Sequence, residues 1–276
     1  MTSVERVLEY GAADVEDEKG MNFEKWPKEG GITYEDVCLR YPRTNQLVLK
    51  KVSFTIKPGE RICIIGRTGA GKTSLISTLF RLYQIESGKI VIDGVDTSVL
   101  KLKSLRSKIS IIPQSPTLFS GTFRSNLDPY QKFSDAELWA ALQEMNMKNY
   151  ASGLPYTLYT NVQEGGSNFS AGQRQLICLT RSLLSKSKIL ILDEVTSEVD
   201  LDTMDMIDLI VRSKFADCTV LTIIHRLGSV MNFDKVMIVA DGRIKEFGDP
   251  KELLDNEDNI FYQMMAQEGL IKRIKR

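Results

Sequence analysis

Apolar residues in this chain come in short runs. Ile62-Cys63-Ile64-Ile65, Ile189-Leu190-Ile191-Leu192 and Val220-Leu221-Thr222-Ile223-Ile224 are strand-sized and nearly unbroken, the pattern of strands buried on both faces. Strands are expected at residues 61–65, 88–93, 109–113, 188–192, 219–224, 235–240 and 243–246. Residues 32–41 and 49–56 read as an antiparallel lead-in, with Lys57-Pro58-Gly59-Glu60 as a turn. Helical spacing marks residues 73–83, 135–145, 170–185 and 203–212, the last with Met206, Ile207, Ile210 and Val211 on one face. Strands alternating with helices predict a mostly parallel α/β core, and the largely helical block over 123–186 reads as an insertion into it. Residues 1–30 are acidic and polar, without a sustained period. They read as a linker whose few apolar residues dock onto something else.

Charge and cysteine usage narrow the classes. Lys and Arg together number 36, the same as Asp and Glu, so no net field draws the chain to nucleic acid or anionic lipid. The closing Ile271-Lys272-Arg273-Ile274-Lys275-Arg276 reads as a solvated basic tail. Cys38, Cys63, Cys178 and Cys218 are scattered without a Cys-x-x-Cys pair, which points to reduced thiols rather than a metal site. No apolar run nears the roughly 20 residues of a membrane-spanning helix. The start, Met1-Thr2-Ser3-Val4-Glu5-Arg6, lacks the apolar core of a signal peptide. The chain reads as soluble.

Chemistry enters at Gly66-Arg67-Thr68-Gly69-Ala70-Gly71-Lys72-Thr73, a G-x-x-x-x-G-K-[ST] phosphate loop between an expected strand and an expected helix. Its glycines let backbone N–H groups turn inward around phosphate oxygens. Gly66, Thr68, Gly69, Ala70, Gly71, Lys72, Thr73 and Ser74 are the candidate nucleotide contacts. Lys72 would neutralise the β- and γ-phosphates, and the Thr73 hydroxyl would hold Mg²⁺. Asp193 ends an apolar strand, where a carboxylate reaches Mg²⁺ directly or through water, and Glu194 suits a general base for the attacking water. Tyr41 is the candidate platform for adenine stacking, with Tyr34 the nearby alternative and core packing the bland one. His225 is the only histidine; by composition alone it is a surface or packing residue.

Asn168-Phe169-Ser170-Ala171-Gly172-Gln173-Arg174-Gln175, followed by Ile189-Leu190-Ile191-Leu192-Asp193-Glu194, resembles the signature and Walker B segments of ATP-binding-cassette (ABC) ATPases. The resemblance implies a P-loop NTPase core with a mostly parallel sheet, an antiparallel β lead-in and an inserted α-helical subdomain. It implies that two cassettes trap ATP head to tail, each lending its signature (Ser170, Gly172 and Gln173 here) to the nucleotide held by the other. Gln114 matches the Q-loop glutamine, which reaches Mg²⁺ and the water. His225 matches the switch histidine at the γ-phosphate. Asp200 matches the D-loop aspartate at the dimer interface, although it also suits a helix N-cap.

Within that family, Gly121-Thr122-Phe123-Arg124-Ser125-Asn126-Leu127-Asp128-Pro129, Glu164-Gly165-Gly166-Ser167-Asn168 and Asp217-Cys218-Thr219-Val220-Leu221-Thr222-Ile223 resemble the second nucleotide-binding domain of the C subfamily, the multidrug-resistance-associated transporters. Residues 1–30 then become a linker following a transmembrane domain, 31–271 the nucleotide-binding domain and 272–276 the tail. The implied protein works at the cytoplasmic face of a plasma or organelle membrane. Its partners would be transmembrane domains and a second cassette, expected to be the first nucleotide-binding domain of the same full-length protein. The isolated chain is expected to be a monomer or a weak ATP-dependent dimer. ATP-driven export is the leading function. A nucleotide-sensing cassette gating a channel or receptor of the same subfamily is the alternative. Two positions depart from the pattern: Phe169 replaces the usual leucine, with altered packing expected, and Glu198 puts a charge where the D-loop has a small residue.

Overall fold

Two sheets share the centre of the molecule. The computed structural model describes residues 3–12, 15–16, 19–42, 44–195, 199–224 and 226–271. The first part runs α1 (Ser3–Gly11), β1 (Ile32–Arg40), β2 (Leu47–Ile56), β3 (Arg61–Ile65), α2 (Lys72–Leu79), β4 (Ser87–Ile92), β5 (Val95–Asp96), α3 (Leu102–Arg106) and β6 (Ile109–Ile112). The middle is β7 (Gly121–Thr122), α4 (Phe123–Leu127), α5 (Asp135–Glu144), α6 (Lys148–Ser152), β8 (Asn161–Val162) and α7 (Ala171–Ser185). The rest is β9 (Ile189–Asp193), α8 (Leu201–Lys214), β10 (Thr219–Ile223), β11 (Lys235–Ala240), β12 (Arg243–Gly248), α9 (Pro250–Leu254) and α10 (Ile260–Gln267).

The larger sheet has the order β12-β11-β3-β10-β9-β6, parallel except where β12 returns beside β11. The smaller, antiparallel sheet is β2-β1-β4-β5. Side chains alternate across a strand, and each face of the parallel sheet has a cover. Ile62, Ile64, Ile189, Ile191, Leu221 and Ile223 join the core under α2 and the antiparallel sheet. Leu190, Leu192 and Val220 face the other way, into the core shared with α4–α8, while Cys63, Ile65, Val236 and Ile238 meet Phe261 and Met265 of α10. This double burial explains the unbroken apolar runs.

The expected α/β architecture is present, with the helical block inserted between β6 and β9. That block also carries a small antiparallel pair, Gly121 with Val162 and Thr122 with Asn161, which the helical reading did not separate. The helix expected over 73–83 stops at Leu79: Phe80 caps it and Arg81 turns into the left-handed region at φ 49°. Arg81 is held there by its guanidinium, which donates to the Thr97 and Leu100 carbonyls at 2.9 and 2.6 Å.

The polar N-terminal stretch carries more structure than its composition suggests. Residues 3–11 form α1, none of whose residues is buried. Of the apolar residues that follow, Trp26 docks onto the chain's own core: it is buried and its Nε1 donates to the Ile92 carbonyl at 2.8 Å. Asp93 fixes the next turn by accepting the N–H groups of Lys28, Glu29, Gly30 and Gly31 at 2.7–3.0 Å. Glu16 forms a bidentate pair with Arg106 at 2.6 and 2.7 Å. The basic tail 272–276 lies outside the described residues.

Candidate nucleotide site

Strand register brings the candidate residues to one edge of the parallel sheet. Ile223 of β10 stands level with Asp193 of β9 and with Ile64 of β3, and Ile112 of β6 stands level with Leu192. The carboxyl ends of β3, β10, β9 and β6 therefore open side by side, where open α/β sheets bind their ligands. From β3 the chain enters the phosphate loop. From β9 it leaves through Asp193 and Glu194, and from β6 through Gln114, an exposed residue two positions past Ile112.

Lys72 opens α2 and is 6% exposed. Its ammonium donates to the Gly66 carbonyl at 2.6 Å and the Arg67 carbonyl at 3.3 Å. Burial pushes its pKa below the usual lysine value, while Glu194 and Asp193 pull it back up. That coupling puts both carboxylates in the electrostatic reach of the phosphate-loop cation. Thr68, Gly69 and Thr73 are exposed and Ala70 and Ser74 are buried. Glu194 has φ 52°, a left-handed conformation costly for a residue with a Cβ. Its backbone N–H is secured to the Ile223 carbonyl at 3.1 Å. A local strain of this kind is retained where the surrounding structure over-determines it.

Tyr34 and Tyr41 separate cleanly. Tyr34 is buried, stacks on Phe54 with centroids 4.5 Å apart, and bonds Leu75 O and Thr78 Oγ1 through its hydroxyl. It is core. Tyr41 is only partly buried, its hydroxyl lies 2.8 Å from Ser74 Oγ, and its ring meets Tyr83 edge-on.

Ser170, Gly172, Gln173 and Asp200 gather at the N-termini of α7 and α8. Ser170 is the N-cap of α7 in a capping box: its Oγ accepts from Gln173 N–H at 3.2 Å, and Gln173 Oε1 accepts from Ser170 N–H at 2.9 Å. Asp200 caps α8, accepting from Thr203 N–H at 3.0 Å and from the Thr203 hydroxyl at 2.9 Å, bonds that hold its carboxyl below the usual range. Gly172 lies where the two helices approach; a Cβ there would come within 2.7 Å of Thr203 Cγ2. Phe169 is 3% exposed, stacked on Phe123 at 5.9 Å and edge-on to Tyr150 at 6.2 Å. The aromatic side chain thus roots the signature loop in the helical block, which accounts for its standing in place of leucine. His225, Ser197 and Glu198 lie outside the described residues.

One support escaped the sequence reading. The turn between β11 and β12 is Asp241-Gly242, both with positive φ (53° and 72°), as a tight hairpin requires. Gly242 N–H donates to the Ala70 carbonyl of the phosphate loop at 3.0 Å, and its carbonyl accepts from Lys50 N–H at 2.8 Å. A Cβ at Gly242 would sit 2.1 Å from the Val48 carbonyl oxygen. The Asp-Gly pair signals a turn in the sequence, but not that the turn props the phosphate loop.

Among the described residues no cluster of three or more His, Cys, Asp or Glu could hold a metal. Thr73 and Asp193 nonetheless fit Mg²⁺, a hard cation taken through one or two protein oxygens with the remaining positions filled by phosphate and water.

A phosphate loop on a strand-to-helix turn, an acid pair two strands over and a glycine-serine helix start define a P-loop ATPase cassette. The chain belongs to the ABC transporter family, whose model matches residues 49–197. It is 49% identical over 274 residues to human ATP-binding cassette sub-family C member 4, covering 98% of this chain and 20% of that protein. Rat sub-family C member 2 is 46% identical over 279 residues. A probable multidrug resistance-associated protein of Drosophila melanogaster, lethal(2)03659, is 47% identical over 278. A bacterial Atm1-family ABC exporter with ATP bound superposes with a TM-score of 0.82 at 30% identity, over 93% of this chain and 44% of that one. The chain spans about a fifth of the length of these curated relatives. It is therefore an ATPase cassette of the kind carried by sub-family C transporters. No helix among the described residues is long and apolar enough to cross a membrane.

Proposed function

We propose that this cassette binds MgATP and hydrolyses it to ADP and phosphate in a head-to-tail pair with a second cassette, powering export through transmembrane domains at the cytoplasmic face of a membrane. The observation that carries this reading is the strand register that sets the phosphate loop after β3 and the Asp193-Glu194 end of β9 at the same carboxyl edge of the parallel sheet. In it, the phosphate loop from Gly66 to Ser74 cradles the phosphates through backbone N–H groups. Lys72 turns from its loop carbonyls to the β- and γ-phosphates, and Tyr41 stacks the adenine. Glu194 takes a proton from the attacking water, which Gln114 helps to orient, and His225 hydrogen-bonds the γ-phosphate. Thr73 and Asp193 would hold Mg²⁺, which when bound supplies charge neutralisation at the phosphates. Ser170, Gly172 and Gln173 serve the nucleotide of the opposite cassette, and Asp200 faces that cassette as well as capping α8. The expected partner is the first nucleotide-binding domain of the same transporter.

The test is light scattering and phosphate release on Glu194→Gln, with and without MgATP. ATP binding should persist while hydrolysis falls to a small residual. Undiminished steady-state turnover would assign the base elsewhere. With no other cassette present, Glu194→Gln is expected to stay monomeric. An ATP-dependent dimer would instead make a self-sufficient, symmetric engine. His225→Ala should lower turnover by about two to three orders of magnitude, and activity within twofold of the parent would remove His225 from the mechanism.

A further inference from the structure

We infer that Tyr83 is a positioning residue of the nucleotide site: it fixes the tilt of the Tyr41 ring and so sets the face offered to a base. The inference rests on the reading of Tyr41 as the adenine platform. Tyr41 is restrained at two points. Its hydroxyl is tied to Ser74 Oγ at 2.8 Å, inside the phosphate-loop helix. Its ring makes an edge-to-face contact with Tyr83, centroids 4.6 Å apart and planes at 76°. That is the attractive geometry for two aromatic quadrupoles. A hydroxyl bond alone leaves the ring free to rock about the Cβ–Oη axis; the second contact removes that freedom.

Tyr83 can do this because the chain leading into it is held. The early stop of α2 turns the chain at Arg81, whose guanidinium bonds Thr97 O and Leu100 O. Arg106 then donates to the Phe80 carbonyl at 3.0 Å and the Arg81 carbonyl at 3.1 Å. Two arginines thus pin the segment from both sides, two residues before Tyr83. Tyr83 remains 40% exposed, so its ring is not a core residue whose loss would unfold the domain. A preorganised stacking face costs less ordering entropy when the base arrives, and the gain falls only on ligands that carry a base.

The experiment is equilibrium binding of MgATP and of inorganic tripolyphosphate to the whole chain and to Tyr83→Ala, Tyr83→Phe, Tyr41→Ala and the double variant Tyr41→Ala/Tyr83→Ala. Tyr83→Ala should weaken ATP binding by roughly two- to tenfold and leave tripolyphosphate unchanged. Tyr83→Phe, which keeps the ring, should bind ATP as the parent does. In the Tyr41→Ala background, losing Tyr83 should cost nothing more. Equal weakening of both ligands would mean general damage to the phosphate loop and overturn the inference, as would unchanged or tighter ATP binding by Tyr83→Ala. If Tyr41→Ala weakens ATP selectively and Tyr83→Ala does not, the positioning role alone fails. If Tyr41→Ala leaves the preference for ATP over tripolyphosphate intact, the platform reading fails and Tyr83 falls with it.

Discussion

Single atoms decide several positions that a motif search treats as letters. At Gly172 the missing Cβ lets the start of α7 lie against Thr203, where a methyl group would come within 2.7 Å of Cγ2. Gly172→Ala should therefore destabilise the domain by about 1–3 kcal/mol, the usual range for overpacking. Denaturant unfolding would measure it. Adding Thr203→Ser, which deletes the offending methyl while keeping the hydroxyl that Asp200 accepts from, should return most of the loss. Failure of that rescue would mean Gly172 acts through its backbone alone. Phe169 shows the converse: a departure from the family pattern that the packing absorbs through Phe123 and Tyr150.

Elements were legible where their determinants were local. β3 falls at the expected residues, and β9 within one, because an unbroken apolar run needs no outside information once the sheet is covered on both faces. The start of α7 was equally plain, and the structure gives its local cause, a capping box between Ser170 and Gln173. The end of α2 was not. Leu82 and Tyr83 extend its pattern, and the bonds that stop it come from carbonyls at Thr97 and Leu100. The capping box also allows the cap made by Ser170 to be separated from its proposed duty toward an opposite cassette. Ser170→Ala should cost about 1 kcal/mol and reduce any pairing of cassettes. Ser170→Asp should retain near-parental stability, because aspartate caps well, yet abolish ATP-driven pairing by setting a carboxylate against the opposing phosphate. Equal thermal midpoints for the parent and Ser170→Ala would show that the cap contributes little.

At the scale of the whole molecule, ends distant in sequence are stitched by a few polar groups, which is why composition alone did not show Trp26 docking onto the chain's own core. Trp26 docks beneath the antiparallel sheet because Asp93 gathers the N–H groups of residues 28–31. Burial alone would raise the Asp93 carboxyl, but the four donors outweigh it and hold it below its ordinary value. A depressed folded value means this contribution is complete above the unfolded carboxylate range and fades as pH falls through the folded one, below about pH 4. Hydrogen exchange at residues 28–31 should accelerate below that pH before the parallel sheet opens, and Asp93→Asn should show the acceleration already at neutral pH. Uniform protection down to global unfolding would contradict this. The phosphate loop itself was fully visible in the sequence, but its buttress at Gly242 was not, because the contact spans the chain from Val48 and Ala70 to the last hairpin. That hairpin has a practical consequence. A two-residue turn at the tip of the final strand pair is where one would ordinarily splice in an epitope, a fluorescent reporter or a permuted terminus. Here an insertion between Asp241 and Gly242 would unseat the loop that grips phosphate, so the tolerant places for such grafts must be sought elsewhere on the surface.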